Sequence, residues 1–180
     1  MRLFIAASLP VSVIEMILTE IYNLQKTVNG VTWVQSDALH CTIKFLGEVC
    51  DYSLIDKALT AVTFTQSDAL LSDSFQVFCR GDRASAIILP FRDPGALIRI
   101  YTSVENVLSN IGIVPESRTF IPHVTVGRFK KSVSCDEARS YLSSAAIPYS
   151  PHIPTGTIHL VRSTLLPTGP KYDILCSYGR

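Results

Sequence analysis

One strand pattern occurs once in each half of the chain, and it limits the fold more than any other feature. The two copies are His40-Cys41-Thr42-Ile43 and His123-Val124-Thr125-Val126. In extended backbone, residues two apart point to the same side. His40 and Thr42 therefore share one face, and Cys41 and Ile43 the other. His123 and Thr125 repeat the arrangement against Val124 and Val126. Each copy sits within a similar run of strands and helices, which predicts two related lobes facing each other.

The rest of the pattern is mixed. Leu3 to Ser8 reads as a buried strand. Pro10 suits a first helical turn, and Val13, Ile14, Ile17, Leu18, Ile21 and Leu24 then recur at helical spacing, with Asn29-Gly30 as a stop. Val31 to Val34 and Leu39 to Leu46 read as extended, the latter bounded by Gly47. Leu54 to Val62 has helical spacing. Phe75 to Cys79 and Ala84 to Leu89 form a hairpin-like pair across Gly81-Asp82. A helix follows Pro94 and runs to about Gly112. Val124 to Phe129 is a strand, Asp136 to Ala145 a short helix, and Ile158 to Leu165 and Tyr172 to Cys176 are strands separated by the turn Pro167-Thr168-Gly169-Pro170. Strands and helices mix without the regular alternation of a doubly wound sheet, so the fold class expected is α+β.

Composition excludes several classes. The chain has 180 residues and is 47% hydrophobic, ample for a core and too apolar for disorder. Its formal net charge is +1, far from the strongly basic balance of a protein that coats nucleic acid. A nucleic-acid ligand would be gripped over a short piece. The N-terminal apolar run is short and broken by Pro10, which fits a buried first strand better than a signal peptide. No stretch approaches the length of a membrane span. The five cysteines, Cys41, Cys50, Cys79, Cys135 and Cys176, are odd in number and scattered without a C-x-x-C pair. They read as buried free thiols in a reducing compartment, not as a disulfide framework or a zinc site, and the expected location is cytoplasmic.

The paired motif carries a chemistry. Two imidazoles and two hydroxyls lining one cleft suit phosphodiester hydrolysis. Water must lose a proton as it attacks phosphorus, and the departing ribose oxygen must gain one. Imidazole titrates near neutral pH, so one histidine serves as base and the other as acid. The threonines can donate to the oxygens on which charge builds. No metal is required, and no H-E-x-x-H run or local carboxylate cluster is present to hold one. His152 and His159 lack the motif and read as ordinary surface or loop histidines. Arg118, Arg128, Lys130 and Lys131 surround the second motif, with Lys130 and Lys131 read as a solvated basic edge. Arg128 has the opposite parity to His123 and reaches the cleft only past a bulge or at the strand end. Lys44 shares parity with His40 and Thr42, so it reads either as a lysine approaching a phosphate or as an ordinary exposed strand lysine.

At these motifs the chain resembles the two-histidine phosphoesterases, specifically the LigT-like RNA 2′,3′-cyclic phosphodiesterase (2′-5′ RNA ligase) branch. The resemblance begins at Met1-Arg2-Leu3-Phe4-Ile5-Ala6 and continues through Trp33-Val34, Leu39 to Glu48, Phe120 to Arg128, Arg162-Ser163-Thr164-Leu165 and Pro167 to Tyr172. It implies a single bilobal α+β unit over 1–180, with two pseudo-symmetric lobes of antiparallel strands, helices outside and a central cleft. It also implies metal-independent opening of a 2′,3′-cyclic phosphate to a 2′-phosphate, with no cofactor. His40 would be the proton donor to the leaving 3′-oxygen and His123 the proton acceptor from water. Thr42 and Thr125 would hold the phosphate, with Arg128 near it. The implied partners are RNA ends or nucleotides bearing a cyclic phosphate, tRNA fragments among them, with no membrane and no obligatory protein partner. Two departures stand out: Cys41 replaces the usual aliphatic residue, and Ala86 to Pro90 lacks the tryptophan often present in that strand. Competing readings are an idle nucleotide- or RNA-end-binding module on the same scaffold, and a phosphodiesterase for small cyclic nucleotides. Ligation to a 2′-5′ bond, the reverse direction, would be a side activity.

Overall fold

A computed structural model describes residues 1–64, 67–143, 145–167 and 169–179. The strands are β1 (Arg2–Ser8), β2 (Val31–Trp33), β3 (His40–Glu48), β4 (Asp68–Leu71), β5 (Gln76–Arg80), β6 (Arg83–Asp93), β7 (His123–Phe129), β8 (His152–Pro154), β9 (Thr157–Leu166) and β10 (Gly169–Gly179). The α-helices among the described residues are α1 (Val11–Leu24), α2 (Ser53–Leu59), α3 (Gly95–Ser109) and α4 (Cys135–Ser140). The strands form one antiparallel sheet in the order β10-β9-β1-β3-β7-β6-β4-β8, with β2 also on β7 and β5 also on β6. The chain is α+β and bilobal. One lobe is built on β10, β9, β1 and β3, the other on β7, β6, β5, β4 and β8. They join through a single paired position, Cys41 with Val124.

The two faces of the sheet differ as the alternation requires. Leu3, Ile5 and Ala7 of β1 enter the main core with Val13, Ile17, Ile21 and Leu24 of α1 and with Ala96, Leu97, Ile100, Val104 and Leu108 of α3. Phe4, Ala6 and Val161 form a separate small cluster with Tyr172 on the opposite face. We call the first the helix face and the second the site face. Each helix is amphipathic because its apolar residues recur every three or four positions. Pro10 and Pro94 precede α1 and α3, where a missing N–H costs nothing.

Each lobe repeats one order: strand, long helix, motif strand, short helix. These are β1-α1-β3-α2 and β6-α3-β7-α4. Both motif strands carry a bulge three residues after the histidine. Thr42 pairs with Ala6 but Lys44 with Ile5, leaving Ile43 over; Thr125 pairs with Ile88 but Gly127 with Ile87, leaving Val126 over. A bulge reverses the side-chain alternation beyond it. At the second bulge the backbone comes close to β2. A Cβ on Gly127 would lie 2.6 Å from Val31 Cγ1 and 3.1 Å from Trp33 Cε3, so glycine is required for packing there.

The bulge after Thr42 corrects the expectation for Lys44. It points into the helix face, 6% exposed, with Nζ donating to Glu105 Oε1 of α3 at 2.7 Å and to the Val114 carbonyl at 3.3 Å. It does not approach the motif residues. The cysteine reading also needs correction. Cys79 of β5 and Cys135 of α4 form a disulfide, with Cα atoms 6.2 Å apart across a sequence separation of 56. Cys135 N–H donates to the Asp82 carbonyl, and Arg83 bridges to Ser134, which draws α4 onto the β5–β6 hairpin. Of the free cysteines only Cys41 is buried, and Cys50 is exposed. Two strands escaped the sequence reading, β4 and β8, which are four and three residues long. The short helix expected to Ala145 stops at Ser140; Ser144 of that expectation, and Thr168 of the expected turn, lie outside the described residues. Among the described residues no helix is long and apolar enough to cross a membrane.

Candidate active site

The join between the lobes assembles the motif residues. Antiparallel register around Cys41 and Val124 sets His40 toward Thr125 and Thr42 toward His123, all on the site face. The buried Cys41 and Val124 fix the two strands from the helix face. Each of the four polar residues is half-buried.

The two imidazoles are held alike. His40 Nδ1 lies 2.8 Å from the Ala38 carbonyl oxygen, and His123 Nδ1 lies 2.7 Å from that of Ile121. A carbonyl only accepts, so each Nδ1 carries a hydrogen and donates. In both cases the acceptor is two residues earlier. Nε2 is then the atom left for chemistry on each ring. In neutral His40 its lone pair accepts from the Thr42 hydroxyl at 3.0 Å.

Rings wall the two imidazoles. His40 lies between Phe4, at 4.9 Å between centroids, and the edge-on Tyr172, at 5.3 Å. Phe78 of β5 stacks on His123 at 5.6 Å. Sequence reasoning gave these aromatics no role. The signal was strand parity: Phe4 shares a face with Ala6 and Ser8, whose partner on β3 is His40 itself. His159 is also more than a loop histidine. It lies half-buried on β9 opposite Ala6, with Nδ1 2.8 Å from Ser177 Oγ and Nε2 3.2 Å from Ser8 Oγ. His152 is exposed on β8, with Nδ1 3.9 Å from Asp68 Oδ2.

Arg128 reaches the site face through the second bulge. It pairs with Ala86, and Ala86, Ile88 and Pro90 of β6 pair with Arg128, Thr125 and His123 in turn. Burial pushes the His40 pKa below the usual imidazole range. The Ala38 hydrogen bond opposes that shift, while the positive charges of Arg128 and His123 add to it. The same guanidinium acts on Tyr172, whose pKa burial raises and Arg128 lowers. His40, His123, Arg128 and Tyr172 thus share one electrostatic neighbourhood. Among the described residues no three His, Cys, Asp or Glu side chains gather as a metal site would need.

These causes give a direct expectation. In a pH titration followed by imidazole NMR, His40 of the free protein should bind its proton more weakly than an ordinary histidine. Arg128→Ala should raise its pKa, because a repelling charge is removed. Inorganic phosphate bound beside it should raise it further. A His40 that titrates unchanged in both cases would place Arg128 and the phosphate elsewhere.

No protein-family model matches the chain. Among curated proteins it is 30% identical over 179 residues to the RNA 2′,3′-cyclic phosphodiesterase of Archaeoglobus fulgidus, covering 97% of this chain and 98% of that protein. It is 29% identical over 178 residues to the Thermotoga maritima protein of the same name, covering 97% and 93%. Among solved structures, TT0787 of Thermus thermophilus matches with a TM-score of 0.76 at 24% identity, over 99% of this chain and 97% of that one. Escherichia coli LigT complexed with 3′-AMP matches with a TM-score of 0.74 at 23% identity, over 99% and 97%.

Proposed function

Since this chain belongs to the RNA 2′,3′-cyclic phosphodiesterases of the LigT-like two-histidine group, we propose that it opens the 2′,3′-cyclic phosphate of an RNA end to a 2′-phosphate, with His40 as acid and His123 as base. The observation that carries the reading is the matched pair of imidazoles. Each has its Nδ1–H tied to the carbonyl two residues back, which leaves Nε2 as the proton-transferring atom on one shared face, in His40 beside the Thr42 hydroxyl. His123 Nε2 takes a proton from water as the water oxygen bonds to phosphorus. The bond from phosphorus to the 3′-oxygen breaks, and that oxygen takes the proton from His40 Nε2. Thr42, Thr125 and Arg128 donate to the non-bridging oxygens as charge builds there.

The acid must be protonated, yet burial and Arg128 favour neutral His40 in the free protein. The anionic substrate supplies the compensating charge. Its arrival raises the His40 pKa and draws the Thr42 hydroxyl from Nε2 to a phosphate oxygen. A 5′-hydroxyl in place of water would give a 2′-5′ bond by the same proton transfers, which is how a ligase side activity would arise. The reading takes 1–180 as one bilobal unit and assigns it to the cytoplasm. Its substrates are RNA ends, tRNA fragments included, and it needs no cofactor and no obligatory protein partner.

An RNA oligonucleotide ending in a 2′,3′-cyclic phosphate, incubated with the purified protein in EDTA, tests this. The expected product carries only a 2′-phosphate, at a rate the chelator leaves unchanged. Turnover lost in EDTA and restored by a divalent ion, or a 3′-phosphate product, would overturn the assignment. Tight binding of the cyclic end without turnover would favour the idle binding module.

A further inference from the structure

We propose that the site face carries a second element, a cationic arm that tracks the phosphates of the RNA strand leading to the cyclic end. Its members are Arg128, Lys130, Arg83 and Arg80. The proposal rests on the RNA-end reading above and adds that the protein engages a strand, not the terminal nucleotide alone.

The register places these residues together. Phe78, on the site face against His123, pairs with Ala86, and Ala86 pairs with Arg128. Two residues beyond Phe78, alternation returns Arg80 to the site face, and its partner is Arg83. Ser85 is left over at a bulge between those pairs, so Arg83 faces the same way as Ala86. Past Arg128, Lys130 N–H donates to the Gly30 carbonyl and prolongs the β2–β7 ladder, so alternation sets Lys130 on the side of Arg128. The arm therefore crosses β7, β6 and β5, which spans roughly 10 Å at the usual strand spacing. Cys79, between Phe78 and Arg80, faces the other way and is tied to α4 by its disulfide, which braces β5 beneath the arm.

All four cations are exposed, and among the described residues none has an ion-pair partner. The acidic groups nearby are few. Asp82 lies in the turn between Arg80 and Arg83, Asp136 is taken by Arg139 at 2.8 Å, and Glu137 accepts from Tyr141. The other lobe is the internal control. There Phe45, five residues after His40, stands where Arg128 stands after His123. Its charges neutralise one another: Arg2 meets Glu48 at 3.5 Å, and Arg162 and Lys171 both meet Asp173 at 3.0 Å. Four exposed cations without an ion-pair partner among the described residues thus stand in one row leading from the candidate phosphate site. A strand of regularly spaced phosphates ending at that site is the ligand such a row fits.

The test compares kcat/KM for a 2′,3′-cyclic mononucleotide with that for a short RNA ending in the same group, across salt concentration. The RNA should be preferred at low salt, with the preference falling by a log–log slope of about 0.7 per phosphate contact. Arg80→Glu with Arg83→Glu should lower kcat/KM on the RNA at least about tenfold and flatten that slope, leaving the mononucleotide unchanged. Lys130→Ala, a milder change, should shift the RNA value in the same direction. A wild-type protein that turns over the mononucleotide without preferring RNA, or variants that lose both substrates equally, would overturn the arm and leave the reaction standing. A wild-type protein inactive on both substrates would overturn both.

Discussion

His40→Ala and His123→Ala should each lower turnover of a 2′,3′-cyclic phosphate by about 10²–10⁴-fold, the usual contribution of one positioned acid or base. The double variant should fall far short of the product of the two losses, because the pair acts as a unit on one transition state. Thr42→Ala and Thr125→Ala should cost less, about 1.5–3 kcal/mol each, the worth of a hydrogen bond to a charged group. Steady-state kinetics on the four variants checks the order. His152→Ala is the control, since that ring is exposed on β8 and away from the motif strands. The account fails here if either histidine variant keeps wild-type turnover.

Lys44→Met should lower unfolding stability by about 3–5 kcal/mol, the cost of leaving a buried charge without its partner. Lys44 and Glu105 are 4% and 11% exposed at their side chains, and Glu105 Oε2 has no hydrogen-bond partner among the described residues. Once the ammonium is gone, the buried Glu105 carboxylate loses its ion-pair partner and keeps only the neighbouring Tyr101 hydroxyl. Lys44→Met with Glu105→Leu should recover most of the loss, since a hydrophobic replacement of both partners is often neutral. Denaturant melts of the two variants distinguish this from a simple packing defect, in which the double variant would be the less stable. The pair is also close to the site's framework. Tyr101 of α3, held above its ordinary pKa by burial and then by Glu105, stacks on Phe120 at 4.3 Å, next to the Ile121 carbonyl that orients His123.

Much of this arrangement was legible in the chain, because it follows from alternation and from a pattern written twice. The strand–helix–strand order around each His-x-Thr, and the shared face of each His and Thr, needed only the two-residue repeat of extended backbone. The same rule set Lys44 toward the site, which the structure reverses, and let Arg128 reach it only past a bulge or at the strand end; one bulge in each strand decides both. A single extra residue, Ile43 in one strand and Val126 in the other, flips everything beyond it. Nothing in the local sequence marks a bulge, since it is set by the partner strand. The Cys79–Cys135 pair was hidden by a separation of 56 residues that only the fold closes. The short strands β4 and β8 offered too few residues for any period to show. The aromatic walls around the imidazoles come from β1, β5 and β10, so no single segment could announce them.

The division of labour between the two histidines is the central claim, and the pH dependence of kcat/KM tests it most directly. A base must be unprotonated and an acid protonated, so the wild-type profile should fall on both sides of a maximum. His123→Ala should keep its small residual rate at low pH, losing the acid-side fall. His40→Ala should lose the alkaline-side fall instead. Both variants retaining both falls, or each losing the opposite one, would contradict the assignment.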